Sequence, residues 1–223
     1  MTRPRAVGLG SGGHARVVIE ILQIGGVYEI VGLLEEDASH AGTVVMGVPV
    51  LGSEELLDGL VRDGVDNFFI GVGSTSNSGR RRRLYEVALE RGLRPISATH
   101  PRAVVSSSAT VSPGTMIMAG AILNPGVRVG CNVIVNTGAL VEHDCGIGDH
   151  AHVATGARLA GGVRIGTGAH VGAGATVRQG LLVGEDSVVG AGAVVVTDVP
   201  PRVVVVGVPA KVLRSEGSSR VTN

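Results

Sequence analysis

The chain has 223 residues, 19 basic against 19 acidic side chains, and 44% hydrophobic residues; a globular protein with a sizeable core is expected, and the balanced charge excludes the basic excess of a nucleic-acid or acidic-membrane binder. With 36 glycines, 2% aromatic residues and no Trp, a conventional bundle or sandwich core is excluded too. No apolar run is long enough for a membrane span and the N-terminal residues show no signal-peptide pattern, while the two cysteines, Cys131 and Cys145, make no disulfide framework, so a cytoplasmic location is expected.

Strand and helix patterns alternate through the first hundred residues. Ala6–Leu9 reads as a strand, Gly10–Gly13 as a tight loop, and His14–Ile24 as a helix with Val17, Val18, Ile21 and Leu22 on its apolar face. A strand Glu29–Leu34 follows, ending in Glu35, Glu36 and Asp37. Then come a strand near Val44–Val50, a helix Glu54–Arg62, a strand Asn67–Val72 and a helix at about Arg80–Arg91. Arg94–Ala98 is expected as the last strand, with Thr99-His100-Pro101 as a hinge. Such alternation predicts a parallel sheet with crossover helices over residues 1–100. Gly8-x-Gly10-x-x-Gly13 after the first strand, with an acid about twenty residues on, matches the dinucleotide-binding fingerprint and makes an NAD site one reading. Against it, about a hundred residues are short for a double mononucleotide unit, and His14 stands where the helix begins. The run Arg80–Arg83 reads as a solvated first helical turn, with one of the four reaching a ligand phosphate as the alternative.

From Ala103 the chain divides into sixteen consecutive hexads ending at Asp198, with Val, Ile or Leu third in every one. The first position is mostly Ala, and glycine follows the aliphatic residue at Gly130, Gly148, Gly166, Gly172, Gly184 and Gly190. This period predicts a solenoid of very short strands and tight corners, third-position side chains stacking inward and glycines serving the corners where positive φ or close approach is needed. Three hexads make a triangular coil of eighteen residues, and about five coils at strand spacing give a prism roughly 25 Å tall, too narrow for aromatic rings.

The hexads resemble those of the hexapeptide-repeat acyltransferases, as does Val203–Lys211 with its closing Gly-Val-Pro-Ala-Lys, and that resemblance implies a left-handed parallel β-helix over 101–214, with 215–223 as a frayed tail. The loop Gly-Ser-Gly-Gly-His followed by a small sheet and hexads resembles the sugar acetyltransferases acting on sialic acid, nucleotide-linked bacillosamine or nucleotide-linked perosamine. By that resemblance the α/β domain is a Rossmann-like nucleotide-sugar domain, with Gly12, Gly13 and His14 near the diphosphate and Glu35 and Glu36 near the nucleoside; for His14 the alternative is an exposed helix-start residue. An anion-binding turn at a helix N-terminus suits this chemistry.

Histidines concentrate in Val141–His152. His143 takes the fifth hexad position and Asp144 the sixth, a corner, so His143 can reach the outer surface beside a carboxylate that would fix its tautomer, the arrangement of a general base. Asn136–Asp144 resembles the catalytic segment of the sugar acetyltransferases. The match implies that His143 is the base and that Asp144, where the family often has the longer Glu, orients it. It places Asn136 near the acceptor sugar, His152 near the thioester carbonyl, and the Gly161 N–H as a donor to the same oxygen. Ala173 and Ala191 match positions lining the pantetheine arm of coenzyme A, or are plain corner alanines; His170, eighteen residues after His152, is expected as a stacking surface residue. The resemblance implies an acetyl-CoA-dependent N-acetyltransferase of a UDP- or GDP-4-amino sugar, assembled as a homotrimer, without metal. O-acetylation of a sialic-acid-like sugar is the alternative. A zinc site of the carbonic-anhydrase kind would need His143, Asp144, His150 and His152 to converge, and a non-catalytic nucleotide-sugar sensor would leave the His143–Asp144 pair idle.

Overall fold

Val7 and Leu9 alternate with Ala6 and Gly8 in a segment buried on both faces, so Arg5–Leu9 (β1) lies inside a six-stranded sheet. The computed structural model describes residues 2–74 and 77–215. With β2 (Glu29–Leu34), β3 (Val44–Val45), β4 (Val48–Gly52), β5 (Asn67–Ile70) and β6 (Arg94–Pro95), the sheet order is β3-β4-β2-β1-β5-β6, parallel except for the β3–β4 pair. The helices are α1 (Gly13–Gly25), α2 (Leu57–Arg62) and α3 (Gly79–Glu90). Val18, Ile21 and Leu22 of α1 are buried as the pattern predicts, together with Ala15 and Ile19. Two elements differ from expectation. The strand near Val44–Val50 is a hairpin, because Met46 and Gly47 both take positive φ (50° and 81°) and make a two-residue turn. The segment Arg94–Ala98 divides, Arg94–Pro95 closing this sheet while Ala98–Thr99 pairs with Met116–Ile117. Thr99 is therefore a rung of the second sheet system and not a hinge residue.

From there, strands of two residues recur at the hexad period and pair eighteen residues apart, as in Met116, Ile134, His152, His170 and Val188. They form three parallel sheets, the faces of a left-handed triangular prism. The first face carries Met116–Ile117 and its counterparts, the second Ile122–Leu123 and its counterparts, the third Arg128–Val129 and its counterparts. First- and third-position residues fill the interior together, including Ala121, Leu123, Val127, Val129, Val133 and Val135. Where the first position is polar it satisfies itself on a carbonyl: Thr115 Oγ1 donates to Gly130 O at 2.7 Å and Ser187 Oγ to Gly184 O at 2.6 Å. The sixth- and fourth-position glycines serve different needs. Those in the sixth position turn the corner with positive φ, as at Gly138 (65°) and Gly162 (69°). Those in the fourth have no such φ, but a Cβ would collide with the next coil, 2.6 Å from Thr167 N at Gly148 and 2.5 Å from Glu185 N at Gly166. The prism closes on an antiparallel hairpin, Val203–Val206 with Lys211–Ser215. Ser215 thus ends a strand, and the remainder of the expected tail, 216–223, lies outside the described residues.

The α/β domain covers the first face. Met116 and Ile134, pointing outward from the prism, are buried in one cluster with Ala15, Val18, Ile19, Ile21 and Leu22. On the neighbouring edge Arg81 of α3 enters the prism corner and is 1% exposed, giving Nη1 to Asn132 O and Nη2 to His150 O. Tyr85 donates to Pro113 O at 3.2 Å and fills the space left by Gly114. The reading of Arg80–Arg83 as a solvated turn is thus corrected at Arg81: carbonyls freed at a tight corner need donors, and this guanidinium supplies several at once. No helix among the described residues is long and apolar enough to cross a membrane.

Candidate functional site

At the end of β1, Gly10 turns with φ 103°, and a Cβ there would stand 2.4 Å from Val72 Cγ2 and 3.0 Å from the Gly71 backbone. Gly12 and Gly13 are exposed with no atom within 4 Å of such a Cβ, so the backbone N–H groups at the α1 N-terminus are open to a ligand. Glu35, at the end of β2, accepts the Ser11 N–H and Oγ–H at 2.9 Å each and Arg80 Nη2 at 2.7 Å. Partial burial works to raise its pKa, but the Ser11 and Arg80 donors outweigh it and hold the carboxyl down to about 2. Glu36 is exposed and meets Arg80 Nε at 3.4 Å. His14 is half-buried against Gly73, and burial, with the charge of Arg81 second, pushes its pKa down to about 4. It is therefore neither the exposed helix-start residue of the alternative reading nor a cation at neutral pH.

His152 stands on the first face where the α/β domain meets the prism, and is 7% exposed. Its Nδ1 lies 2.7 Å from Ser74 O, a contact only an N–H can make, so Nε2 accepts from Asn136 Nδ2 at 3.1 Å. Asn136 Oδ1 in turn accepts the Thr137 N–H at 2.8 Å. Both ring nitrogens are thus engaged inside the chain, and a hydrogen bond from His152 to a thioester carbonyl would displace one of these partners. The structure places His152 as a strut between Ser74 and Asn136. His170 is 8% exposed and packs edge to face on His152 with ring centroids 4.9 Å apart. Its expected place on the surface is corrected, because the outward side of this face is roofed by the α/β domain.

Burial, ahead of all other causes, lowers the pKa of His152 to about 3 and of His170 to about 4. Together with His14 these groups stay neutral in the folded chain while an unfolded chain would protonate them below their ordinary value of 6.5. Fewer protons on the folded state means stability falls as pH falls. The contribution is complete above about pH 6.5 and is lost toward pH 4–3, by about 1.4 kcal/mol per pH unit for each histidine. Thermal denaturation should show the Tm dropping between pH 6.5 and 4.5, and His170→Phe should reduce that slope; a level Tm over this interval would contradict the assignment.

His143 occupies the corner between the second and third faces, its side chain 57% exposed. Asp144 follows with φ 60°, a conformation Asp tolerates better than most residues, and this turns its carboxylate back onto its neighbour. Oδ2 lies 2.9 Å from His143 Nδ1. The shorter acid therefore makes a direct contact, and Gly126 one coil below leaves room for it, since a Cβ there would be 2.6 Å from Asp144 Oδ1. With Nδ1 donating to Asp144, Nε2 is the free acceptor. That nitrogen hangs over Gly161, whose Cβ position lies 2.6 Å from it. Among the described residues the Gly161 N–H donates to nothing.

The expected site residues thus fall on two corners of one chain. His143, Asp144 and Gly161 sit between the second and third faces; Asn136, Ala173 and Ala191 sit between the first and second, where Asn136 is linked through His152 to Ser74 of the α/β domain. Ala173 and Ala191 are exposed. His143 and His152 point to different edges and His150 packs against Asn132 and Tyr85; no set of three or more His, Cys, Asp or Glu among the described residues is placed to hold a metal ion. Ser74, Arg80 and Arg81 carry contacts that the sequence reading did not assign. Only the charge run flagged the two arginines, and nothing local flags Ser74.

Residues 7–87 match the family described as PglD N-terminal domain, and residues 144–179 match the bacterial transferase hexapeptide family. Among solved structures, the chain is similar to a histidine-to-asparagine mutant of perosamine N-acetyltransferase from Caulobacter crescentus in complex with CoA and GDP-perosamine. The two are 38% identical over 94% of this chain and 97% of that one, with a TM-score of 0.88. It is also similar to the acetyltransferase domain of PglB from Neisseria gonorrhoeae in complex with acetyl coenzyme A, at 36% identity over 95% of this chain and 100% of that one, TM-score 0.87. A third, WeeI from Acinetobacter baumannii, is 26% identical over 94% and 100%, with a TM-score of 0.82.

Proposed function

The chain belongs to the hexapeptide-repeat sugar acetyltransferases, and from that premise we propose how its residues carry out acetyl-CoA-dependent N-acetylation of a nucleotide-linked amino sugar. The nucleotide sits on the loop of Gly12 and Gly13, with Glu35 and Glu36 beside the nucleoside, and Asn136 meets the acceptor sugar. His143 Nε2 takes a proton from the sugar nitrogen as its lone pair attacks the thioester carbonyl carbon. The Gly161 N–H donates to the oxyanion of the tetrahedral intermediate, an interaction commonly worth about 2.7–4 kcal/mol. Collapse breaks the C–S bond, and the departing sulfur recovers the proton from the imidazolium. No acyl-enzyme is required, since Cys145 is buried with Sγ on Ala160 O and Cys131 is remote from the corner. The single observation that carries the reading is the exposed His143–Asp144 pair with its free nitrogen over Gly161.

The split of the site between two corners supports a trimer. The face between those corners points Val104, Ile122 and Leu140 outward on successive coils, with Arg158, Thr176 and Val194 on the coils beyond, an apolar patch at one end that a lone prism would leave open, with Val104 62% exposed. Three copies turning this face inward bring the His143 corner of one against the Asn136 and Ala173 corner of its neighbour, where coenzyme A lies. Ala173 and Ala191, lacking bulk, leave room for the pantetheine arm. The reaction belongs in the cytoplasm, the compartment two unpaired cysteines suit. The test is a panel of UDP- and GDP-linked 4-amino sugars and free sialic acid, offered with acetyl-CoA and read by thiol release. Turnover with a nucleotide-linked amino sugar is expected, by particles of three chains in light scattering. Release with sialic acid alone, or none at all, would overturn the assignment.

A further inference from the structure

We propose that Arg80 is the diphosphate ligand of the α/β domain, parked on Glu35 and Glu36 in the free enzyme and handed to the diphosphate when the nucleotide sugar enters. The proposal rests on the reading of the Gly12–Gly13 loop as the nucleotide site. Four arginines open α3, and three of them are committed elsewhere. Arg81 is locked into the prism corner. Arg82 pairs with Glu86 at 2.9 Å one turn along the same helix, and Arg83 forks onto both oxygens of Glu54 at 2.6 and 3.0 Å. Arg80 alone reaches across the ends of β1 and β2 to the loop.

Its anchor there is unusual in what else it holds. The Glu35 carboxylate accepts Arg80 on one oxygen, and the Ser11 N–H and Oγ–H on the other. Donors from the turn and from α3 therefore already converge on one anion, next to the open N–H groups of Gly12 and Gly13. A diphosphate entering on those groups arrives within the span of a guanidinium whose side chain is 44% exposed, so re-aiming it strips little water. Electrostatics favours the exchange, because two carboxylates at this edge repel a diphosphate unless a cation stands between them. Arginine can keep one N–H on a carboxylate while presenting others to phosphate oxygens.

Calorimetric titration of the full-length protein with UDP and GDP tests this. Arg80→Gln should weaken the Kd of the nucleotide that wild type binds by about tenfold to a hundredfold. The KM for the nucleotide sugar should rise in proportion while kcat and the KM for acetyl-CoA hold; Arg80→Lys should recover part of the loss, and Arg82→Gln should match wild type. Unchanged affinity in Arg80→Gln would overturn the proposal. So would full recovery in Glu35→Gln/Arg80→Gln, which would show that Arg80 only neutralises Glu35. Wild-type protein that binds neither nucleotide would remove the loop reading itself, and Arg80's role with it.

Discussion

Replacing His143 with alanine should lower turnover by about a hundredfold to ten-thousandfold, the range over which general bases contribute, while the affinity for coenzyme A stays close to wild type. The separation follows from the roles proposed for these residues. His143 acts on the proton of the attacking nitrogen at the reacting centre, while Ala173 and Ala191, the proposed pantetheine contacts, line the arm from the corner between the first and second faces. Stability should hardly change, since the imidazole is largely exposed and its hydrogen-bond partner is an exposed carboxylate. Asp144→Asn should leave the ring in place and cost less than removal of His143, because the carboxylate acts only through Nδ1. Steady-state rates with both substrates saturating, set beside a coenzyme A titration, decide the matter; near-normal turnover in His143→Ala would remove the base from the mechanism.

Gly161→Ala should be the more selective lesion. The φ of Gly161 lies outside the positive region, so alanine can adopt the backbone, yet its methyl carbon would arrive 2.6 Å from His143 Nε2 and 2.7 Å from Cε1. The exposed ring is free to swing aside at little cost to the fold. Displacing a base by about 1 Å is enough for roughly a hundredfold loss in rate. The backbone N–H, the proposed oxyanion donor, is retained, so the loss reports on the ring. We expect kcat to fall by about that factor with thermal stability within about 0.5 kcal/mol of wild type. Wild-type kcat in this variant would show that the imidazole does not work from its place over Gly161.

Much of this was legible in the sequence because it is local. The sixteen hexads gave the inward third-position stack, and the corners at Gly138 and Gly162 take the positive φ their composition predicts. The fourth-position glycines, such as Gly148 and Gly166, meet the other need the period implies, the close approach of the next coil; which glycine serves which need is decided by the structure. His143 and Asp144 were legible as neighbours at a corner, whereas their direct 2.9 Å contact depends on the φ of Asp144. His152 and His170 were placed on one edge correctly, and His170 was given the wrong environment, since hexad position says which side points outward but not what covers it.

By itself the sequence determined the prism, its coil of eighteen residues, the α/β region before it and the corner position of His143. These follow from periodicity, and periodicity is a property of residues close along the chain. Only the tertiary structure decided that the first face is roofed, that Arg81 among four arginines goes inside while Arg80 stays at the loop, and that the site residues divide between two corners. Those outcomes rest on contacts such as Arg81 to Asn132, 51 residues apart, and His152 to Ser74, 78 apart. Their geometry is fixed by how two folded units dock, which no local repeat encodes.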